Sequence, residues 1–198
     1  MPRLPIFKSV QSFAIAVVLF NEVIHFCVLS FSLHQFNVLA YLDGVAKYNV
    51  ITYEPKYLED FVSLNREWIE KYFAIEESDR QQLLRAKENI LDVGGEIFFI
   101  IEDSKAVATC AMVPHGEKFE LAKMAVAPSA RGKGYGDVLM ETAIAWSRER
   151  GLEEIFLLSN TILEPAIALY KKHGFVTVKL GPHPDYERCN IEMNLKLK

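Results

Sequence analysis

Between Met124 and Gly136 an apolar run passes through a turn rich in glycine and base into a helical stretch: Met124-Ala125-Val126-Ala127-Pro128-Ser129-Ala130-Arg131-Gly132-Lys133-Gly134-Tyr135-Gly136. The alternate glycines Gly132, Gly134 and Gly136 let the backbone take left-handed dihedrals and leave its amides uncovered. A helix opening near Tyr135 or Gly136 adds unpaired first-turn N–H groups and the positive end of its dipole. Such a terminus is an anion site. Arg131 offers a planar fork and Lys133 a point charge, a pairing suited to a pyrophosphate. The plain alternative is a surface loop with two solvated cations. The spacing is G-x-G-x-G, which is neither the P-loop nor the dinucleotide-binding fingerprint.

The strand feeding this turn, Lys118–Val126, reads as alternating: Glu120, Ala122, Met124 and Val126 on one face, Leu121, Lys123 and Ala125 on the other. A carboxylate therefore shares a face with the residues nearest the cradle. Downstream, Leu169-Tyr170-Lys171-Lys172-His173-Gly174-Phe175 places a tyrosine on a short helix that ends at glycine.

Arg131–Gly136 resembles the acetyl-CoA signature R/Q-x-x-G-x-G/A of the GNAT N-acetyltransferases and matches it at each fixed position. Leu169–Phe175 resembles that family's second block, L-Y-x-x-x-G-F. The resemblance runs from about Asn49 to the C-terminus and is strongest over Glu120–Phe175. It implies acetyl-CoA as co-substrate. Met124, Ala125 and Val126 would pair their backbone with the pantetheine arm as with an added strand, and Arg131, Gly132, Lys133, Gly134, Tyr135 and Gly136 would hold the pyrophosphate. The resemblance further implies Glu120 as general base acting through water and Tyr170 as general acid for the leaving thiolate. The structural alternatives are a strand carboxylate satisfied by Lys118 or Lys123, and a core tyrosine. Where many relatives carry an asparagine this chain has Leu163, and Asn160 is the substitute it offers for the cofactor contact. Trp68, Tyr72, Phe73 and Glu76 would wall the acceptor side, with His183, Tyr186 and Arg188 on a bordering loop. His173 and His183 read as structural. The reaction implied is direct acetyl transfer to a small-molecule or peptide amine. A second reading is a non-catalytic acyl-CoA-binding sensor or interaction module of the same fold.

The elements that must position these groups are legible from periodicity. Tyr48–Tyr53 is β-branched and aromatic and reads as a first strand. Lys56–Tyr72 has helical spacing, and a second helix, Asp79–Leu91, is expected behind a Ser78 or Asp79 cap. Glu96–Glu102, Ala106–Val113 and Lys118–Val126 read as an antiparallel meander joined by short turns. The helix after the cradle carries Leu139, Ala143 and Trp146 on one face and stops at Gly151. Ile155–Leu158 reads as a parallel strand buried on both faces, followed by a helix over Glu164–His173. Phe175–Leu180 and a strictly alternating Arg188–Leu197 complete an α/β (α+β) domain over residues 48–198. With the resemblance, its expected form is a mixed, mostly antiparallel sheet of six to seven strands, splayed after the fourth and flanked by about four helices.

Composition narrows the function classes. With 198 residues, a formal charge of −4 and pI near 5.8, nothing draws the chain as a whole to nucleic acid. The cysteines, Cys27, Cys110 and Cys189, are odd in number and show no metal-ligand spacing, which points to no metal and a reducing, cytoplasmic setting. From Ser9 to Leu42 the only formally charged residue is Glu22. Arg3 and Lys8 could flank a membrane anchor, but Asn21, Glu22, His25, His34 and Gln35 oppose it. Residues 1–47 are expected to be an accessory hydrophobic extension, or a stretch upstream of the true start, ahead of a membrane-anchored scaffold. Association into a homodimer stays open.

Overall fold

The structure is a computed structural model that describes residues 48–184 and 186–198; the expectations for residues 1–47 lie outside them. β1 (Asn49–Thr52) leads through a turn at Pro55–Tyr57 into α1 (Leu58–Tyr72) and α2 (Glu77–Leu84). A meander follows: β2 (Glu96–Glu102), β3 (Lys105–His115) and β4 (Lys118–Val126). Then come α3 (Tyr135–Glu149), β5 (Glu154–Ser159), α4 (Glu164–Lys172), β6 (Val176–Leu180) and β7 (Ile191–Lys196). The seven strands form one sheet in the order β1-β2-β3-β4-β5-β7-β6, antiparallel except for β4 beside β5. With four α-helices among the described residues, this is the expected fold class.

Two apolar layers hold the first half of the sheet. On one face α1 and α2 bury Phe61, Leu64 and Leu83 against Ile97, Phe99, Ala111 and Ala125. On the other, Trp146 of α3 meets the rings of Phe98 and Phe119 at centroid distances of 6.4 and 5.4 Å. Burial of such side chains contributes roughly 1.5–3 kcal/mol each. The final strand behaves as its alternation predicts, with Cys189, Ile191, Met193, Leu195 and Leu197 all buried.

Three local expectations are corrected. The second helix begins earlier and ends sooner: Glu76 is its N-cap and Asp79, at the third helical position, closes a capping box back to the Glu76 N–H. Its continuation, Lys87–Leu91, is a separate π-turn with Asp92 N–H on Lys87 C=O at 2.8 Å. Gly95 follows because a Cβ there would sit 2.3 Å from the Met112 carbonyl. β5 is not buried on both faces: Ile155, Leu157 and Ser159 are buried while Phe156 and Leu158 are partly open.

The third correction concerns β4. Ala111 pairs with Ala122 and Thr109 with Ala125, so Cys110 alone stands opposite both Lys123 and Met124. That is a β-bulge, with Lys123 at φ 51°. Ala122 and Ala125 thereby join one core, and the simple alternation through Val126 does not hold.

Candidate active site

β4 and β5 are in register only at Glu120 and Phe156. Beyond that pair the two strands part, and the far edge of Met124–Val126 has no strand beside it. The split opens a cavity of about 400 Å³. Glu120 to Val126 line it from β4, Trp68, Tyr72 and Phe73 from α1 and the chain after it, and Ser159 and Asn160 from the end of β5. Leu169 and Tyr170 of α4, with Tyr186, Arg188 and Cys189 before β7, close the rest.

The glycine-rich turn sits at one end of this cavity, which Arg131 and Gly136 line. Gly132 and Gly134 take φ 77° and 82°, values that cost an L-residue about 1–2 kcal/mol. Gly134 is the N-cap of α3, and none of the N–H groups of Gly132 to Gly136 meets a backbone acceptor among the described residues. A Cβ on Gly136 would lie 3.0 Å from Leu169 Cδ2, so α4 packs directly on this turn. A concave run of unpaired amides at a helix start fits an oxyanion-rich group such as a pyrophosphate.

The side chains of the turn are placed unevenly. Arg131 Nε donates to Val126 C=O at 3.3 Å and the rest of its guanidinium is exposed. Lys133 Nζ lies 2.8 Å from Glu102 Oε2. Tyr135 is buried, donates its hydroxyl to Glu102 and packs edge-on against Tyr48, so what it offers the turn is its backbone amide. Asp137, in the first turn of α3, receives Lys172 Nζ at 2.6 Å and His173 Nε2 at 2.7 Å. Those partners, Lys172 first, hold its carboxyl below the usual range. His173 thus clasps α3 to the end of α4.

Glu120 and Tyr170, far apart in sequence, line the same cavity. Tyr170 is hydrogen-bonded to Ser159, and burial pushes its hydroxyl up to about 12; it keeps its proton at neutral pH. Glu120 Oε2 is 2.8 Å from His115 Nε2. Neither lysine proposed as its partner takes that place. Lys118 reaches toward Glu154 at 4.0 Å, and Lys123 Nζ lies 3.1 Å from Asp79 Oδ1.

Asp79 anchors a buried cluster at the cavity wall. Its carboxylate, wholly inaccessible, takes Arg188 through both terminal nitrogens, Nη2 at 2.6 Å from Oδ1, together with the Lys123 ammonium. Glu76 Oε1 stands 3.3 Å from Arg188 Nη1. Burial lowers the Lys123 pKa despite Asp79. Arg188 therefore ties the loop before β7 to α2. Asn160 spans a neighbouring gap, donating Nδ2 to Arg188 C=O at 2.7 Å and accepting the Ile162 N–H at 3.0 Å on Oδ1. The His183 ring lies tilted against Tyr186, centroids 5.4 Å apart, and the Tyr186 hydroxyl accepts from Gln82 at 3.4 Å.

Periodicity alone does not expose His115, Asp79 or Ser159 as site residues, because each acts through a partner distant in the chain. Burial raises the Cys110 thiol far out of the ordinary range and Cys189 to about 11, which disfavours the thiolate of either at neutral pH. Among the described residues no group of three or more His, Cys, Asp or Glu could hold a metal ion, and no helix is long and apolar enough to cross a membrane.

Comparison with known proteins finds acetyltransferases among the relatives of the chain. Over 59 residues, 30% of the chain and 31% of the relative, it is 39% identical to a streptothricin acetyltransferase of Streptomyces lavendulae. The chain spans under a third of the length of the curated relatives it matches. A GNAT-family acetyltransferase from Staphylococcus aureus superposes with a TM-score of 0.69 at 23% identity, covering 76% of this chain and 99% of that one. A PaiA N-acetyltransferase from Thermoplasma acidophilum, solved in complex with coenzyme A, does so at 0.59 and 16%, covering 75% and 98%. Residues 61–175, more than half of the chain, match the acetyltransferase (GNAT) family as a whole, and the chain belongs to that family.

Proposed function

We propose that the chain transfers an acetyl group from acetyl-CoA directly to a primary amine. The observation that carries this reading is the shared cavity: a carboxylate, Glu120, and a protonated phenol, Tyr170, open into one space that leads to an uncovered glycine turn. The curated relatives are acetyltransferases and one fold neighbour holds coenzyme A, which supports acetyl-CoA as the donor.

The residues have distinct tasks in this reaction. The turn at Gly132–Gly136 and Arg131 bind the pyrophosphate, and the open edge of Met124–Val126 pairs with the pantetheine arm. An alkylammonium of pKa about 10.4 is neutral in roughly one molecule in a few thousand at pH 7 and cannot attack until it loses a proton. Glu120 takes that proton, directly or through one water. The amine nitrogen then bonds to the thioester carbon, the carbon–sulfur bond breaks, and Tyr170 gives its proton to the departing thiolate; the acylated nitrogen sheds its surplus proton as the amide forms, and that proton restores the Tyr170 phenol. Ser159 keeps the phenol aimed into the cavity.

The experiment is thiol release from acetyl-CoA with a panel of primary amines and amino-terminal peptides. Acceptor-dependent release that Tyr170→Phe and Glu120→Gln both depress supports the transferase. Coenzyme A binding by calorimetry with no release from any acceptor would instead favour the acyl-CoA sensor.

A further inference from the structure

Glu120 is enclosed where it does its work. Its side chain is 13% exposed, and once donor and acceptor fill the cavity the proton it removes has no exit by that route. One neighbour bridges the distance to solvent. His115, the last residue of β3, places Nε2 at 2.8 Å from Glu120 Oε2, is 37% exposed, and is not among the residues lining the cavity. Its ring rests edge-on against Phe156 at 5.5 Å, which fixes its plane, and Phe156 is the residue of β5 in register with Glu120. The three side chains meet at the last point where β4 and β5 are joined. Inside that point lies the cavity, and outside it lies water.

We infer that His115 holds the Glu120 carboxylate in place and conducts the acceptor's proton from the cavity to solvent. This inference rests on the transferase reading above. The steps balance: the acceptor ammonium gives one proton to Glu120, which passes it from Oε2 to the Nε2 lone pair of neutral His115. The resulting imidazolium releases its Nδ1 proton to water, which restores Glu120 and leaves His115 protonated on Nε2; proton exchange with water then returns the ring to its Nδ1–H tautomer before the next turnover. A carboxylic acid ordinarily titrates about two units below an imidazole, so delivery to His115 makes removal of an ammonium proton less uphill than a carboxylate alone.

The electrostatic surroundings suit this role. The hydrogen bond from His115 to Glu120 raises the His115 pKa above its ordinary 6.5. β5 presents the uncharged Phe156 ring to it, and Lys118, opposite His115 on β4, reaches toward Glu154 of β5. Around Glu120 stand Lys123 on β4, Tyr170 on α4, and Tyr186 and Cys189 on the loop before β7. His115 is a positioning residue by this account, since it reaches the substrate only through Glu120.

The test uses the full chain and three variants: His115→Gln, His115→Ala and Glu120→Gln. Imidazole resonances followed by NMR against pH should give His115 a midpoint above 6.5 that falls in Glu120→Gln; an unmoved midpoint overturns the pairing. Thiol release from acetyl-CoA, with whichever primary amine gives the fastest wild-type rate, is then profiled against pH. His115→Gln keeps an N–H for Glu120 but cannot carry a proton, so kcat should fall by about tenfold, KM should hold, and the acid limb should move to lower pH. His115→Ala should fall further, because the carboxylate is also freed. A His115→Gln profile that superimposes on the wild type while Glu120→Gln is inactive sinks the inference and leaves the transferase standing. Release that survives in Glu120→Gln sinks the general-base reading and the inference with it.

Discussion

Removing the Asp79 carboxylate strips the cavity wall of its buried anion. In Asp79→Ala the guanidinium of Arg188, 12% exposed, loses a two-pronged partner, and the ammonium of Lys123, 7% exposed, loses its ion pair. Breaking a buried pair by deleting one member typically costs about 3–5 kcal/mol, because the remaining charge stays desolvated. Two features of this site place the cost near the lower bound. Glu76 already stands 3.3 Å from Arg188 and can take over part of its charge. Lys123 can escape by releasing its proton, since burial already holds its pKa below the ordinary lysine value. A loss of about 3 kcal/mol at pH 7 corresponds, for an m-value of about 2 kcal/mol/M, to a urea midpoint lowered by about 1.5 M. The pH dependence follows from the same residue. Without Asp79 the folded-state pKa of Lys123 falls further. Between that value and the wild-type folded value, the unfolded variant binds more protons than the folded one, so its stability rises with pH while that of the wild type does not. The gap between the two proteins should therefore narrow as pH rises from neutrality toward the wild-type folded pKa of Lys123, which lies below the ordinary lysine value. A loss below about 1 kcal/mol at neutral pH, or a gap that is flat across this window, would refute the placement of two cations on one buried carboxylate.

Other perturbations read separate parts of the site. Tyr170→Phe should lower kcat by about 10²-fold or more while leaving coenzyme A affinity by calorimetry within a factor of two or three, because the ring stays and only the proton is lost. Gly134→Ala puts a Cβ in open space at φ 82°, so its cost is the backbone alone, about 1–2 kcal/mol in a thermal or urea melt, and coenzyme A binding should weaken as the amides turn. Asp137→Asn removes the clasp between α3 and α4. The folded pKa of Asp137 is depressed, so the clasp stabilises the protein above about pH 3.9 and is lost as pH falls through the folded value. The melting temperature of the variant should lose the corresponding acid-limb drop, and an unchanged acid limb would assign that stability elsewhere.

Periodicity reveals most of the framework because most elements bury one face against the sheet; α4 and β6, which have no buried residue, are the exceptions. β2 to β4 announce themselves as apolar runs split by short turns, and α3 by its Leu139, Ala143 and Trp146 stripe, all buried. The glycine turn is legible for a different reason: positive φ leaves a compositional trace at Gly132 and Gly134. What stays hidden are features without such a trace. Lys123 takes φ 51° with neither glycine nor asparagine to mark it, so the alternation through β4 looks unbroken when it is not. Asp79 has the composition of a helix cap, and it does serve in a capping box. Its partnership with Arg188, 109 residues on, is a fact of topology. His115 looks like a turn residue until the β3–β4 register lays it beside Glu120.

The bulge in β4 and the buried cluster explain one another. A lysine in the left-handed region costs about 1–2 kcal/mol, and such strain persists only where surrounding contacts fix it. Here the ammonium of Lys123 is seated on Asp79, which is held from the other side by Arg188. The extra residue, set opposite Cys110, lies just past the last pairing of β4 with β5. Increased local twist at a bulge turns the strand end away from its neighbour, and the edge that opens is Met124–Val126, the stretch lining the cavity between Glu120 and the glycine turn. An exposed edge is ordinarily a liability in a sheet. In this molecule it lines a cavity that Leu169 and Tyr170 of α4 also line. The strained lysine, the ion cluster and the split sheet thus make one device that keeps a strand edge open.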